Sequence, residues 1–179
     1  MKLKHKKSQL WARHGFTLID LIVAMGIFGV ITTAVMINFN AGARNDSVRQ
    51  AAIVTSSVLR RAQSMTLSGA ELTDGTFPSG GYGVRFDAAD TNTLTIFADI
   101  DGNLNYTDST EDIETIDLPD ESVFSSGGTL NVLFSSPDSD VYFNGVTTEA
   151  SKTITTSAPS ADVTGTIIIY RLSGQVRVQ

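Results

Sequence analysis

The segment that most limits this chain is residues 16–39, FTLIDLIVAMGIFGVITTAVMINF, which holds one charge, Asp20, and no proline. Wound into a helix it rises about 36 Å, enough to cross a hydrocarbon core of about 30 Å. Five of the thirteen basic residues, Lys2, Lys4, Lys6, Lys7 and Arg13, precede it, and all nineteen acids lie beyond residue 15. The positive-inside rule therefore holds residues 1–15 in the cytoplasm and sends everything after Asn38 outward. A secretory signal would have a shorter apolar region followed by a small-residue cut. Here the polar-to-apolar boundary comes first, at Gly15-Phe16.

Asp20 requires an explanation inside such a segment. A carboxylate near one end of a span costs at most a few kcal/mol, and it can snorkel to the headgroups. Alternatively it waits for a cation. A cut before Phe16 would create an ammonium one helical turn away, and in an assembly of such helices one chain's ammonium could neutralise another's Asp20.

Composition narrows the chemistry. From Phe16 onward eight basic residues face nineteen acids, a balance of −11. Such a surface repels nucleic acid and anionic lipid, so nucleic acid is not an expected partner. Cysteine is absent, and the two histidines, His5 and His14, lie in the basic leader with the only tryptophan, Trp11. Once the leader is removed, Ser-His-Asp and Cys-His sites and the usual zinc and copper sites are excluded. Lys152 is then the last lysine. An enzyme is not expected, and no cofactor is required.

Gly15-Phe16-Thr17-Leu18-Ile19-Asp20-Leu21 resembles the cleavage and methylation motif of type IV prepilins and type II secretion prepseudopilins. The resemblance implies a prepilin peptidase that cuts after Gly15 and N-methylates Phe16. Asp20 takes the place of the family's acidic residue, usually Glu, so charge is kept and reach is one methylene shorter. It also implies other pilins or pseudopilins and an assembly platform protein as partners. The expected location is the inner (cytoplasmic) membrane, single-pass with the head outside, and then a filament in the periplasm or at the cell surface.

Past the apolar run, Val48, Ala51, Ala52, Thr55, Val58, Leu59, Ala62 and Met65 fall at three- and four-residue steps, so the helix continues as an amphipathic half. Gly69 suits its C-terminal cap. A helix of about 80 Å over residues 16–68 is more than a domain of this size can bury. Gly26 and Gly29 in the apolar half read either as close helix packing or as a place where the helix can stretch. Beyond Gly69, strand-like runs at 82–86, 93–98, 113–118, 129–134, 141–143, 152–156, 165–172 and 175–178 alternate with turn residues. Ser173-Gly174 reads as a hairpin. The fold class is α+β, with the long helix packed on antiparallel sheets. The domains expected are a cleaved leader (1–15), a transmembrane and filament-core helix (16–39), its amphipathic half (40–68) and a β-rich head (69–179).

Leu59-Arg-Arg-Ala-Gln-Ser-Met65, Gly81-Tyr-Gly-Val-Arg-Phe-Asp87 and Ile96-Phe-Ala-Asp99 are similar to GspH/FimT-type minor pseudopilins and pilins, which lay an N-terminal helix on two β-sheets. Members sit near a filament tip or help start assembly. Some bind DNA through C-terminal arginines, but here the tail offers only Arg171 and Arg177.

The stretch 99–112 is dense in oxygen ligands. Read from Asp101, the first, third, fifth and twelfth loop positions are Asp101, Asn103, Asn105 and Asp112, which with Asp99 form a candidate calcium set. Tyr106 replaces the glycine such loops need, so a solvated acidic turn is the competing reading. The expected function is a structural subunit, a minor pseudopilin of a type II secretion-like system. The alternatives are a minor type IV pilin of an adhesion, motility or DNA-uptake pilus, and a non-assembling, signal-anchored surface domain that binds calcium or another ligand. An exported hydrolase using Asp99, Asp101 or Glu111 has only carboxylate density behind it.

Overall fold

A computed structural model describes residues 16–119, 121–136, 140–159 and 161–179. They fall into two units, one ending at Phe39 and the other running from Asn40 to Gln179. Helix α1, Leu18–Ser68, contributes to both. Its stretch Leu18–Met36 is long and apolar enough to cross a membrane, with a mean hydropathy of 2.3 and none of it buried. The hydroxyls of Thr32 and Thr33 donate to the carbonyls of Phe28 and Gly29, 2.8 and 2.9 Å away. Such back-bonding satisfies a hydroxyl without water, as a lipid-facing helix demands.

The helix ends as the glycine signal predicts. Gly69 takes φ 58, its N–H donates to Thr66 O, and the Ala70 N–H donates to Met65 O at 3.0 Å. This pair of bonds is a Schellman cap, which a Cβ at Gly69 would strain.

Among the described residues the head carries nine strands: β1 Gly81–Phe86, β2 Thr93–Asp99, β3 Asp112–Asp117, β4 Val123–Ser125, β5 Leu130–Phe134, β6 Val141–Phe143, β7 Ser151–Ser157, β8 Gly165–Tyr170 and β9 Val176–Val178. They make a five-stranded sheet ordered β3-β2-β1-β5-β6 and a four-stranded sheet ordered β4-β7-β8-β9. Every pairing between them is antiparallel. The α+β class is therefore as expected. Strand β4 is absent from the runs read in the sequence; its three residues are placed by pairing with β7, far along the chain.

Each sheet turns one face toward the amphipathic half of α1. Ala51, Ala52, Leu59 and Ala62 from the helix meet Val84, Ile96, Val132 and Phe134 of the first sheet and Ile154, Ile167 and Ile169 of the second in one core. Alanines let the backbones approach. Thr66 ties helix to sheet: its buried hydroxyl accepts from the Tyr82 N–H at 2.9 Å and lies 3.1 Å from Phe134 O and 3.2 Å from Ala62 O. One residue thus serves the open backbone of β1 and β5 where they meet the helix end.

Candidate functional site

Two places in the chain combine a carboxylate with an unusual setting. The first is the start of α1. Gly15 lies outside the described residues; Phe16 is within them and largely exposed. Thr17 caps the helix. The Asp20 N–H points at Thr17 Oγ1 (3.3 Å), and Asp20 Oδ2 accepts from the Thr17 N–H at 3.1 Å and from its hydroxyl at 2.7 Å. This is a reciprocal capping box with Asp in the third helical position. The carboxylate also lies at the positive end of the helix dipole. The spacing Thr17-x-x-Asp20 is the sequence signal of such a box, a role for Asp20 beyond its charge.

Asp20 therefore has a task within its own chain before any neighbour arrives. Only Oδ2 is used in the box, which leaves Oδ1 for an external donor. Around it Leu18, Ile19, Leu21 and Ile22 are all exposed. No atom approaches within 4 Å of where a Cβ would sit at Gly26 or Gly29, so this face is open to another helix or to lipid.

The second place is the connection between β2 and β3. Asp99 ends β2 with its side chain fully buried, and its carboxylate gathers the loop: Oδ1 accepts from Gly102 N–H (2.7 Å) and Asn103 N–H (3.2 Å), Oδ2 from Leu104 N–H (2.7 Å). The last of these holds Leu104 at φ 66, a conformation rarely taken by a branched side chain. Glu111, also buried, closes the loop by accepting from Ile100 N–H and Thr107 N–H. Asp101 remains exposed and accepts from the Asn103 backbone and side chain and from the Thr107 hydroxyl.

Oxygens of Asp99, Asp101 and Glu111 all lie within 4.8 Å of one another. Burial raises the Asp99 and Glu111 carboxyls above their usual range against the pull of the N–H donors, and neighbouring carboxylates push the same way. Asp101 is lowered, chiefly by the Asn103 N–H. Among the residues read as a calcium set, the structure brings Asp99 and Asp101 together and adds Glu111. Asn103 stands beside Asp101. Asn105 instead accepts from Asn131, 2.9 Å away on β5. Asp112 faces the Tyr106 hydroxyl. Three carboxylates could hold a cation, but all three already accept backbone N–H bonds that fold the loop.

Tyr106 explains why the glycine expected of a calcium loop is missing. Its ring stands edge-on to Phe97 at 5.4 Å, and the Arg85 guanidinium lies 4.4 Å from its centroid. The loop is therefore a cover over the outer face of the first sheet, with Tyr106 as its anchor. Gly83 makes room beneath: a Cβ there would run into the Phe97 ring.

Residues 12–36 match the family described as the prokaryotic N-terminal methylation motif. The chain carries a type IV pilin-like signal. No curated protein and no solved structure matches it. This pilin-like motif implies processing by prepilin peptidase and assembly with other pilins, and it indicates a structural subunit rather than an enzyme. The match covers Phe16, Thr17 and Asp20, so the capping box lies within the pilin-like signal itself. The motif leads into the apolar helix Leu18–Met36, and the two together are consistent with membrane anchoring.

Proposed function

We propose that the chain is a minor subunit of a pilin-like filament, a minor pseudopilin of a type II secretion-like system. The apolar helix stores the precursor in the inner membrane with residues 1–15 in the cytoplasm. Prepilin peptidase cuts after Gly15 and methylates Phe16. An assembly platform protein then moves the subunit from bilayer to filament, where neighbouring helices replace lipid around residues 16–39. The new amine of one subunit meets Asp20 of another, where an unpaired charge is costly.

The observation that carries this reading is the coincidence of three features on one stretch. The methylation motif spans residues 12–36, the helix behind it exposes its large apolar side chains all round, and Asp20 keeps one carboxylate oxygen free of the capping box. The looser likeness of residues 59–99 is to minor pseudopilins and minor pilins alike, and it supports the minor-subunit part of the reading for either filament.

Mass spectrometry of the N-terminus from cells with an active prepilin peptidase tests it. A mature chain starting at N-methylated Phe16 is expected, and an intact Met1 overturns the reading. Asp20→Ala is expected to be cut normally yet to be missing from sheared filaments; undiminished incorporation removes Asp20 from the mechanism.

A further inference from the structure

Four strands end the two sheets: β3 and β6 in one, β4 and β9 in the other. An end strand presents unpaired N–H and C=O groups and invites another strand. Two of the four, Val123-Phe124-Ser125 and Val141-Tyr142-Phe143, carry no charge. Strand β3, Asp112-Ile-Glu-Thr-Ile-Asp117, carries three acids and no base. Strand β9, Val176-Arg177-Val178, carries only a base. Charge therefore singles out one complementary pair of edges.

The β9 edge is built to receive. Gln179 and Thr166 exchange backbone bonds of 2.8 and 3.3 Å, and Tyr170 N–H donates to Gln175 O, so Gln175, Arg177 and Gln179 face β8. By the alternation of an antiparallel ladder, the main chain of Val176 and Val178 faces away. It opens on a groove of about 580 Å³ bounded by Ile53, Ser56 and Arg60 of α1 and by Tyr170. Ile53 is exposed there. Arg60 leans across to donate to Val176 O at 3.1 Å.

The arginines there lack counter-charges. Among the described residues Arg49, Arg61, Arg85 and Lys152 form ion pairs with Asp46, Glu114, Asp87 and Glu149. Arg60 and Arg177 form none. Consecutive residues of α1 thus treat the two edges differently: Arg61 neutralises one of the three acids of β3, while Arg60 adds positive charge beside β9. Asp112 and Asp117 remain exposed without an ion pair. Pairing β3 with β3 would oppose acids, and pairing β9 with β9 would oppose arginines; both are disfavoured.

We propose that the open edge of β9, flanked by Arg60 and Arg177, receives the acidic edge strand β3 of a second copy of this chain. The contact is heterologous, leaving one β3 and one β9 free to repeat it, which is the symmetry of an open filament. It rests on the filament reading above and names a head contact within it; a subunit present in few copies enters the filament as a short run of more than two. A nucleic-acid occupant is disfavoured because two arginines neutralise few phosphates on a chain whose charge from Phe16 onward is −11.

The chain has no cysteine, so thiols placed at Val178 and Thr115, both exposed and uncharged, are its only ones. Full-length chains in native membranes are treated with a flexible bismaleimide. V178C mixed with T115C is expected to give a cross-linked dimer, each variant alone none, and the V178C/T115C chain a ladder. R60D/R177D in that background is expected to remove the ladder, and adding D112R/D117R to restore it. No cross-link in the mixture, equal cross-linking of T115C with itself, a double variant that stops at dimer, or a ladder unaffected by R60D/R177D would each overturn the proposal. So would protection of the groove by duplex DNA with loss of the ladder. N-terminal mass spectrometry on the same membranes separates the two readings: a methylated Phe16 with no ladder sinks the edge contact alone, and an intact Met1 sinks the filament reading.

Discussion

One helix lives two lives in this protein. Between Leu18 and Met36 it buries nothing, and Phe28 is 70% exposed. Between Val48 and Thr66 it buries a broad face, and Leu59 is 0% exposed against both sheets. Propensity does not separate the halves, since both are good helices. What separates them is partner supply: the second half finds its apolar partners within the chain, whereas the first must find them in lipid or in other chains.

The sharpest test of that contrast pairs two truncations. Leu59→Ala should cost about 2–5 kcal/mol of head stability, as a buried leucine leaves a cavity. Phe28→Ala should leave the same denaturant midpoint within about 0.5 kcal/mol. If both shift it equally, the halves are not independent in the way described. Next in size, Thr66→Val strands the Tyr82 N–H and the Phe134 carbonyl in the interior, and a loss of about 1–3 kcal/mol is expected in urea unfolding. The corresponding Thr33→Val in the exposed half should be silent in that assay, because Gly29 O keeps its helical bond.

The smallest effect is pH-dependent and confined to the loop over the first sheet. Glu111 has its carboxyl raised on folding, so the folded state holds that proton more firmly than the unfolded chain. Its contribution is full below the unfolded value of about 4.3 and is lost as pH rises through the raised folded value. Glu111→Gln should flatten this fall while costing about 1 kcal/mol at low pH for one mismatched N–H acceptor. Asp101, exposed and lowered, works in the opposite direction, with stability lost as pH falls. Hydrogen exchange at Ile100 and Thr107 in the two proteins between pH 4 and 7 would show which slope belongs to Glu111; an unchanged slope would remove it from the loop's pH response.

Much of this was legible in the residues. Basic leader, Gly15-Phe16, Asp20 and the apolar run need only composition and order, and the period at Val48, Ala51, Ala52, Thr55 and Leu59 is local to one helix. Gly69 as a cap and eight of the nine strands seen among the described residues, within a residue or two, belong to the same class of signal. The C-terminal strand at 175–178 narrowed to Val176–Val178, because the Ser173-Gly174 turn extends to Gln175. The acidic loop was misleading in detail. Its ligand spacing suggested Asn105 and Asp112, while the chain folded Asn105 onto Asn131 and brought Glu111 in beside Asp99 instead. Loop position counts atoms along the backbone; a site is made by where the backbone turns, and here Tyr106 seated on Phe97 decided that.

By itself, then, the sequence determined the methylation motif at the N-terminus, the class of the fold and the lack of any cysteine, because each depends on residue identity and on spacing within one segment. Only the tertiary structure decided that Asp99 and Glu111 meet, that Thr66 joins β1, β5 and α1, and that, among the described residues, the basic edge strand β9 lies beside Arg60 while the acidic edge strand β3 lies in the other sheet. The Asp99–Glu111 and Arg60–Val176 pairings join residues 12 and 116 positions apart, and burial and strand order, rather than any local pattern, bring them together.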